Sequence, residues 1–287
     1  MPNTIPIPAA PTRVGMISLG CAKNLVDAEV MLGSLMADGM EITNEPAEAD
    51  ALIVNTCSFI DSAQEESVDT ILESSELRSV QQPGQALIVS GCLPQRFREE
   101  LPELMPEVDA FMGVDQIAEV SRIVREAMAH RATQPVEGAR PVSKKKPAAP
   151  ASEINVRPQY VPDVETPRFR LTPQHFAYVK IAEGCNHPCS FCIIPRMRGS
   201  HRSREQADIV AEAKELISQG VKELNLISQD STYYGMDLRP GHRKTISSPD
   251  KFARANADLP EDAATLCSLL RELNAIPGDF WIRLLYT

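Results

Sequence analysis

Ala51-Leu-Ile-Val-Asn-Thr-Cys57 and Ala86-Leu-Ile-Val-Ser-Gly-Cys92 decide the fold of this chain. Each is a short, uninterrupted apolar run with a cysteine three residues past its last apolar position. Apolar runs without alternation read as strands buried on both faces, the pattern of parallel sheets covered by helices. Val14-Gly-Met-Ile-Ser-Leu19 reads the same way and leads into Gly20-Cys21. Helical segments are predicted between the runs. One carries Leu25, Ala28, Val30, Met31, Leu32 and Leu35 at its apolar positions, and another spans Ser62 to Leu77. A fourth strand over Val108 to Met112 and a helix over Gln116 to Ala129 complete the pattern. Residues 1–130 are thus expected to form an α/β domain built on a parallel sheet.

The composition changes after this unit. Pro135, Pro141, Pro147, Pro150, Pro158, Pro162, Pro167 and Pro173 punctuate residues 131–173, with Lys144-Lys-Lys146 among them. This predicts an extended, partly disordered linker, with the lysine run as a solvated charge cluster. From residue 174 a second series begins: a strand over Phe176 to Ile181, a helix over Ala207 to Ser218, a strand over Lys222 to Ile227, a helix within Leu259 to Leu273, and a strand over Trp281 to Leu285. Repeated βα units of this kind build barrels. Three strands cannot close one, so residues 174–287 are expected to be an incomplete partial barrel in an N-terminal fragment of a longer protein.

Bulk properties narrow the class. A length of 287 residues suits about two domains. The chain is 43% hydrophobic and 24% charged, ordinary for a globular protein. A net charge of -10 argues against a general nucleic-acid-coating role. No signal peptide or membrane span is read, so a cytoplasmic location is expected. In a reducing compartment, seven cysteines point to metal or catalytic thiols more than to disulfides.

Six of those cysteines fall into two sets of three. Cys185-Asn-His-Pro-Cys189-Ser-Phe-Cys192 offers three thiolates within one short loop. A four-iron cluster held by three thiolates leaves one iron without a protein ligand, free to bind a small molecule. A zinc site would take His187 as fourth ligand, but His187 is crowded between two of the thiolates. A ferredoxin-like electron carrier has a different compact spacing. Cys21, Cys57 and Cys92 each follow the carboxyl end of a predicted parallel strand, the edge where open α/β sheets bind ligands. Gly20 and Gly91 precede two of them and permit close backbone approach. Buried free cysteines are the plain alternative, but three at equivalent positions favour a second three-thiolate cluster. Cys267 shares a predicted helix face with Ala263, Leu266, Leu270 and Leu273 and reads as a core residue.

The Cys-x3-Cys-x2-Cys loop after the first strand of a βα repeat, with Phe191 before its last cysteine, resembles the radical S-adenosylmethionine (SAM) superfamily. With the upstream triad, the resemblance narrows to the methylthiotransferases. Ser18-Leu-Gly-Cys-Ala-Lys-Asn-Leu-Val-Asp-Ala-Glu29, Cys192-Ile-Ile-Pro-Arg-Met-Arg-Gly199 and His201-Arg-Ser-Arg204 are similar to the RimO-type branch, which acts on a ribosomal protein. The similarity covers Val14 to about Gly113 and His175 to Thr287. The stretch from Met236 to Asp258 and the long Pro-rich linker depart from the family pattern.

The resemblance implies two [4Fe-4S] clusters. One, on Cys185, Cys189 and Cys192, would bind SAM and cleave it to a 5′-deoxyadenosyl radical. The other, on Cys21, Cys57 and Cys92, would carry the sulfur. The implied product is a methylthio group on the β-carbon of an aspartate in the twelfth small-subunit ribosomal protein. Electron donor and sulfur source stay open. The alternatives are a tRNA adenosine methylthiotransferase, which would make nucleic acid the substrate, and a non-catalytic iron–sulfur electron-transfer protein. Gln229 and Asp230, at the end of the second barrel strand, and Arg198 are candidates for SAM or substrate contact. Arg196, Arg202, Arg204 and His201 join Arg198 either in such contacts or as a solvated basic surface. Asn55 is a candidate hydrogen-bonding group near the first triad. Replacing Cys185, Cys189 and Cys192 together by alanine should remove one cluster and leave the other; an iron content of zero would rule out two separate sites.

Overall fold

The computed structural model describes residues 10–134, 151–152, 154–239, 250, 253–254, 257, 259–260 and 263–286. The Lys144-Lys-Lys146 run and residues 240–249 of the expected insertion lie outside the described residues.

The first unit is built as β1 (Arg13–Ser18), α1 (Ala22–Ala37), β2 (Glu41–Thr43), β3 (Ala51–Thr56), α2 (Asp61–Gln81), β4 (Ala86–Gly91), α3 (Cys92–Arg96), α4 (Leu101–Leu104), β5 (Ala110–Met112), α5 (Val120–Thr133) and β6 (Ala151–Ser152). Its sheet runs β2-β1-β3-β4-β5-β6 and every pairing is parallel. The two decisive runs lie side by side, with Ala51 opposite Ala86, Val54 opposite Val89 and Thr56 opposite Gly91. Every residue of β3 and β4 is buried. Successive strand side chains alternate between faces, and two cores result. Ile53 and Ile88 pack with Met31 and Leu35 of α1 and Val120 and Val124 of α5. Leu52, Val54, Leu87 and Val89 pack with Ile71 of α2 and with Leu93 and Leu101.

Three local departures from the sequence pattern have simple causes. β2 and β6 are only three and two residues long, too short to carry a periodicity. The helix expected over Gln116 to Ala129 begins as a 3-10 turn over Gln116–Glu119 and becomes α-helical at Val120. The helix after β3 extends to Gln81, although only Ser67, Ile71, Ser74 and Arg78 of it are buried.

The second unit comprises β7 (Phe176–Lys180), β8 (Ala182–Glu183), α6 (Ile194–Met197), β9 (Arg202–Ser203), α7 (Gln206–Ser218), β10 (Glu223–Ile227), α8 (Leu266–Asn274) and β11 (Trp281–Leu284). β10 lies between β11 and β7, all parallel. Ile209, Val210, Ala213 and Leu216 of α7 and Leu269 and Leu273 of α8 cover one face. The reading of Cys267 as core is corrected here. The helix starts at Leu266, capped by Thr265, and buries Leu269 and Leu273, which turns Cys267 outward; it is exposed. No helix among the described residues is long and apolar enough to cross a membrane.

The second half of the Pro-rich stretch is held against both units. Asp115 accepts hydrogen bonds from the backbone N–H groups of Gln159 and Tyr160. The chain then crosses α1 at Gly33, where a Cβ would come within 2.5 Å of the backbone of Pro167 and Arg168. Arg168 donates to Glu29 of α1 at 2.5 and 2.8 Å, to Glu212 of α7 at 2.5 Å and to the Tyr178 carbonyl of β7 at 2.8 Å. Glu29 is fully buried and also accepts from Leu171 N at 2.7 Å. Removing one partner of a buried pair leaves a desolvated charge. Arg168→Ala should therefore lower stability by about 3 kcal/mol, read as a fall in the urea midpoint.

Candidate functional site

The strand order reverses between β1 and β3, and in open α/β sheets ligands bind at the carboxyl ends beside that switch point. Cys21 and Cys57 follow those two strands, and Cys92 follows the next. Cys21 is the N-cap of α1 and Cys92 is the first residue of α3. Helix N-termini present unpaired N–H groups and favour anions. Cys57 and Cys92 are buried and Cys21 is exposed. Asn24 ties the set together. Its Oδ1 accepts from the thiols of Cys21 at 3.8 Å and Cys92 at 3.7 Å, while its Nδ2 donates to the Thr56 carbonyl at 2.7 Å. Asn55 in turn donates to the Asn24 carbonyl at 2.8 Å, and its buried Oδ1 has no partner.

Two glycines are required by this crowding. Gly20, at φ +92°, lies so close to Cys57 that a Cβ would stand 2.7 Å from the cysteine Cβ and 3.2 Å from its sulfur. Gly91, at φ +97°, would bring a Cβ within 2.5 Å of the Thr56 carbonyl oxygen and 2.7 Å of Asn55 Oδ1. Burial pushes the Cys92 thiol up to about 11; Arg198 acts against this, while Cys21 and Cys57 reinforce it. That Cys21 and Cys57 act on Cys92 in this way reflects their proximity to it, and a shared cation would offset the effect.

The second triad sits on the excursion between β8 and β9, whose antiparallel pairing closes the base of the loop. Gly184, at φ +77°, passes against Ser200, and Cys185 N donates to the Gly199 carbonyl at 3.1 Å. Cys192 N donates to the Cys189 carbonyl at 3.1 Å, and His187 N donates to Cys185 Sγ at 3.4 Å. Burial raises the Cys185 thiol, and neighbouring Asp230, Cys192 and Cys189 add to this. The three cysteines, Phe191 and Arg96 line an open basin of about 660 Å3, and Phe191 is 88% exposed on its rim. A basin of this size suits a nucleoside-sized ligand. The His187 ring points to Asp230, with Nε2 2.8 Å from Oδ2, so its imidazole is engaged away from the thiols.

Asp230 also accepts from Thr232 N and Oγ1, capping a 3-10 turn, and Gln229 donates to Glu183 at 3.0 Å. Among the described residues, no three His, Cys, Asp or Glu side chains already stand in metal-ligating geometry. The donor chemistry nonetheless fits thiophilic iron. Each triad supplies three soft thiol ligands on a glycine-bordered edge.

Between the triads lies a buried ionic cluster. Arg198 Nη2 donates to Asn24 Oδ1 at 2.6 Å and Cys92 Sγ at 3.5 Å. Its Nη1 reaches Asp27 at 2.8 Å and Glu183 at 3.2 Å. Lys180 bonds the same two carboxylates at 2.5 Å each. Burial pushes Glu183 up, but Lys180 and Arg198 outweigh it and hold the carboxyl well below the usual range. The solvated-surface reading of the basic run is thereby corrected. Arg198, Arg204 and His201 are buried, and Arg196 alone of the five is exposed. Arg204 pairs with Asp208 and Glu212. The sequence pattern did not single out Asn24, Asp27, Lys180 or Glu183. The available signals were Asn24 and Asp27 three apart on one helix face and a lysine ending an otherwise apolar strand.

Residues 13–113 match a family model described as an uncharacterized protein family, UPF0004, and residues 179–283 match the radical SAM superfamily. The ribosomal protein uS12 methylthiotransferase RimO of Opitutus terrae is 51% identical over 281 residues, covering 96% of this chain and 55% of that protein. The protein of the same name from Akkermansia muciniphila is 50% identical over 283 residues, covering 96% and 56%. The chain thus spans about half the length of the curated relatives it matches. The radical SAM methyltransferase TsrM of Kitasatospora setae, solved with cobalamin and a [4Fe-4S] cluster, shares the fold at a TM-score of 0.50 and 15% identity, over 96% of this chain and 58% of that one. On these matches the chain carries a UPF0004 region followed by a radical SAM region, and over nearly its whole length it is similar to the RimO-type methylthiotransferases.

Proposed function

We propose that the protein is a two-cluster radical SAM methylthiotransferase that inserts a methylthio group at the β-carbon of an aspartate in ribosomal protein uS12, in the cytoplasm. Residues 1–130 form the sulfur-carrying unit, 131–173 the connecting segment and 174–287 the start of the radical SAM core. The observation that carries this reading is a contact between the segment that follows the second triad and a cysteine of the first. Arg198 stands six residues after Cys192 in the chain and contacts Cys92 of the other set at 3.5 Å.

Each residue set has a definable task. Cys185, Cys189 and Cys192 would hold one [4Fe-4S] cluster with an iron left open for SAM; Cys21, Cys57 and Cys92 would hold the other. Together with SAM, such clusters supply a radical for breaking a C–H bond that has no acidic proton for a general base. The open basin around the second triad receives SAM, and exposed Phe191 offers a flat apolar face at its rim. Asn24 and the ionic cluster hold the sulfur-carrying triad close to that basin, which raises the effective concentration of one reactant beside the other. A net charge of -10 is better matched to a basic ribosomal protein than to RNA.

Mass spectrometry of uS12 from cells with and without the gene tests the substrate. The expected result is a methylthio-aspartate that disappears with the gene; an unchanged uS12 sinks the assignment. Replacing Cys21, Cys57 and Cys92 by alanine should leave 5′-deoxyadenosine formation intact and abolish methylthio insertion. Loss of both activities would mean that the two sites do not act separately.

A further inference from the structure

Arg198 touches the first cysteine triad at Cys92, Asp27 of the first unit and Glu183 of the barrel unit. It is 3% exposed, so neither water nor salt screens it effectively. Its four acceptors lie on two sides of a planar fork: Asn24 Oδ1 and Cys92 Sγ on Nη2, Asp27 Oδ2 and Glu183 Oε1 on Nη1. A lysine ammonium has no such fork. Lys180 already pairs with both carboxylates. Lys180 and Arg198 thus each pair with both carboxylates, and the hydrogen bond to sulfur is additional to those pairs.

We propose that Arg198 is a positioning residue for the first triad, a guanidinium supplied by the barrel unit that donates to the Cys92 sulfur and raises the reduction potential of the cluster held there. The inference rests on the two-cluster reading above. A reduced cluster carries one more negative charge than an oxidised one. A cationic N–H donor to a ligand sulfur stabilises the reduced form more, and hydrogen bonds to sulfur and burial are established controls of cluster potential. The placement also ties this control to the SAM-binding loop. Arg198 caps α6, its N–H bonding the Ile194 carbonyl at 2.7 Å, and α6 begins two residues after Cys192. The loop that carries one triad thereby fixes the charge presented to the other.

The competing view is that Arg198 only neutralises Asp27 and Glu183. The two views separate when the charge balance is kept and the donor removed. The experiment uses the chain with Cys185, Cys189 and Cys192 changed to alanine, reconstituted with ferrous iron and sulfide, so that any cluster signal arises from Cys21, Cys57 and Cys92. Its midpoint potential is measured by redox titration followed by electron paramagnetic resonance. The parent is compared with Arg198→Met/Asp27→Asn, which leaves Lys180 facing Glu183, and with Arg198→Lys.

The double variant is expected to bind cluster and to show a reduction equilibrium at least tenfold less favourable, a fall of about 59 mV for one electron. The lysine variant should fall by less. A midpoint in the double variant equal to or above that of the parent overturns the inference. If the double variant does not fold by circular dichroism, Arg198→Lys carries the test, and an unchanged midpoint there overturns it. Failure of the parent with Arg198 intact to take up any cluster is a different result: it refutes the two-cluster reading, and the inference falls with it.

Discussion

Lys180 and Arg198, from the second unit, meet Asp27 of the first and Glu183 of their own in a buried cluster. Such a cluster adds little net stability, because desolvation offsets much of the attraction. Its consequence is geometric. Each carboxylate is shared by the two cations, and Arg198 spends its remaining hydrogen bonds on Asn24 and Cys92. Any other placement of the units would strand a buried charge. The relative position of the triads therefore follows from the demand that four charges be satisfied together.

The same demand explains the placement of residues 154–173 of the Pro-rich stretch. Arg168 joins α1, α7 and β7 through Glu29, Glu212 and the Tyr178 carbonyl. The crossing over α1 is possible only because Gly33 lacks a Cβ. Proline restricts the backbone and lowers the entropy lost on ordering. A segment rich in proline can therefore serve as a strap as well as a spacer, provided that it also carries groups with partners to find.

The first triad depends on register. Because β3 and β4 pair residue for residue, Cys57 and Cys92 leave the sheet at the same level, and β1 brings Cys21 to the same edge. A shift of one residue would reverse every side chain between the two faces and would break both cores at once. The apolar packing that stabilises the sheet thus also delivers the cysteines. The Cys185 loop relies instead on the short β8–β9 pairing and on backbone contacts at Gly184 and Gly199.

Much of this was legible in the chain. Continuous apolar runs marked β1, β3 and β4, because a strand buried on both faces tolerates few polar groups. The positions of Cys21, Cys57 and Cys92 after those runs marked the first triad, because topology fixes where strand ends lie, and the spacing within one loop marked Cys185, Cys189 and Cys192. What stayed hidden depends on contacts between residues distant in sequence. Asp27 and Lys180 are separated by 153 positions and Asn24 and Arg198 by 174. A basic run such as Arg196 to Arg204 has the same composition whether it faces water or buried carboxylates. Cys267 shows the converse error, for an apolar periodicity misleads where a helix starts later than expected. The sequence by itself determined the parallel α/β architecture and the two three-thiol sets, since periodicity and spacing are local properties. Only the tertiary structure decided that Arg198 contacts Cys92, because a buried charge is placed by its partners and not by its neighbours in the chain.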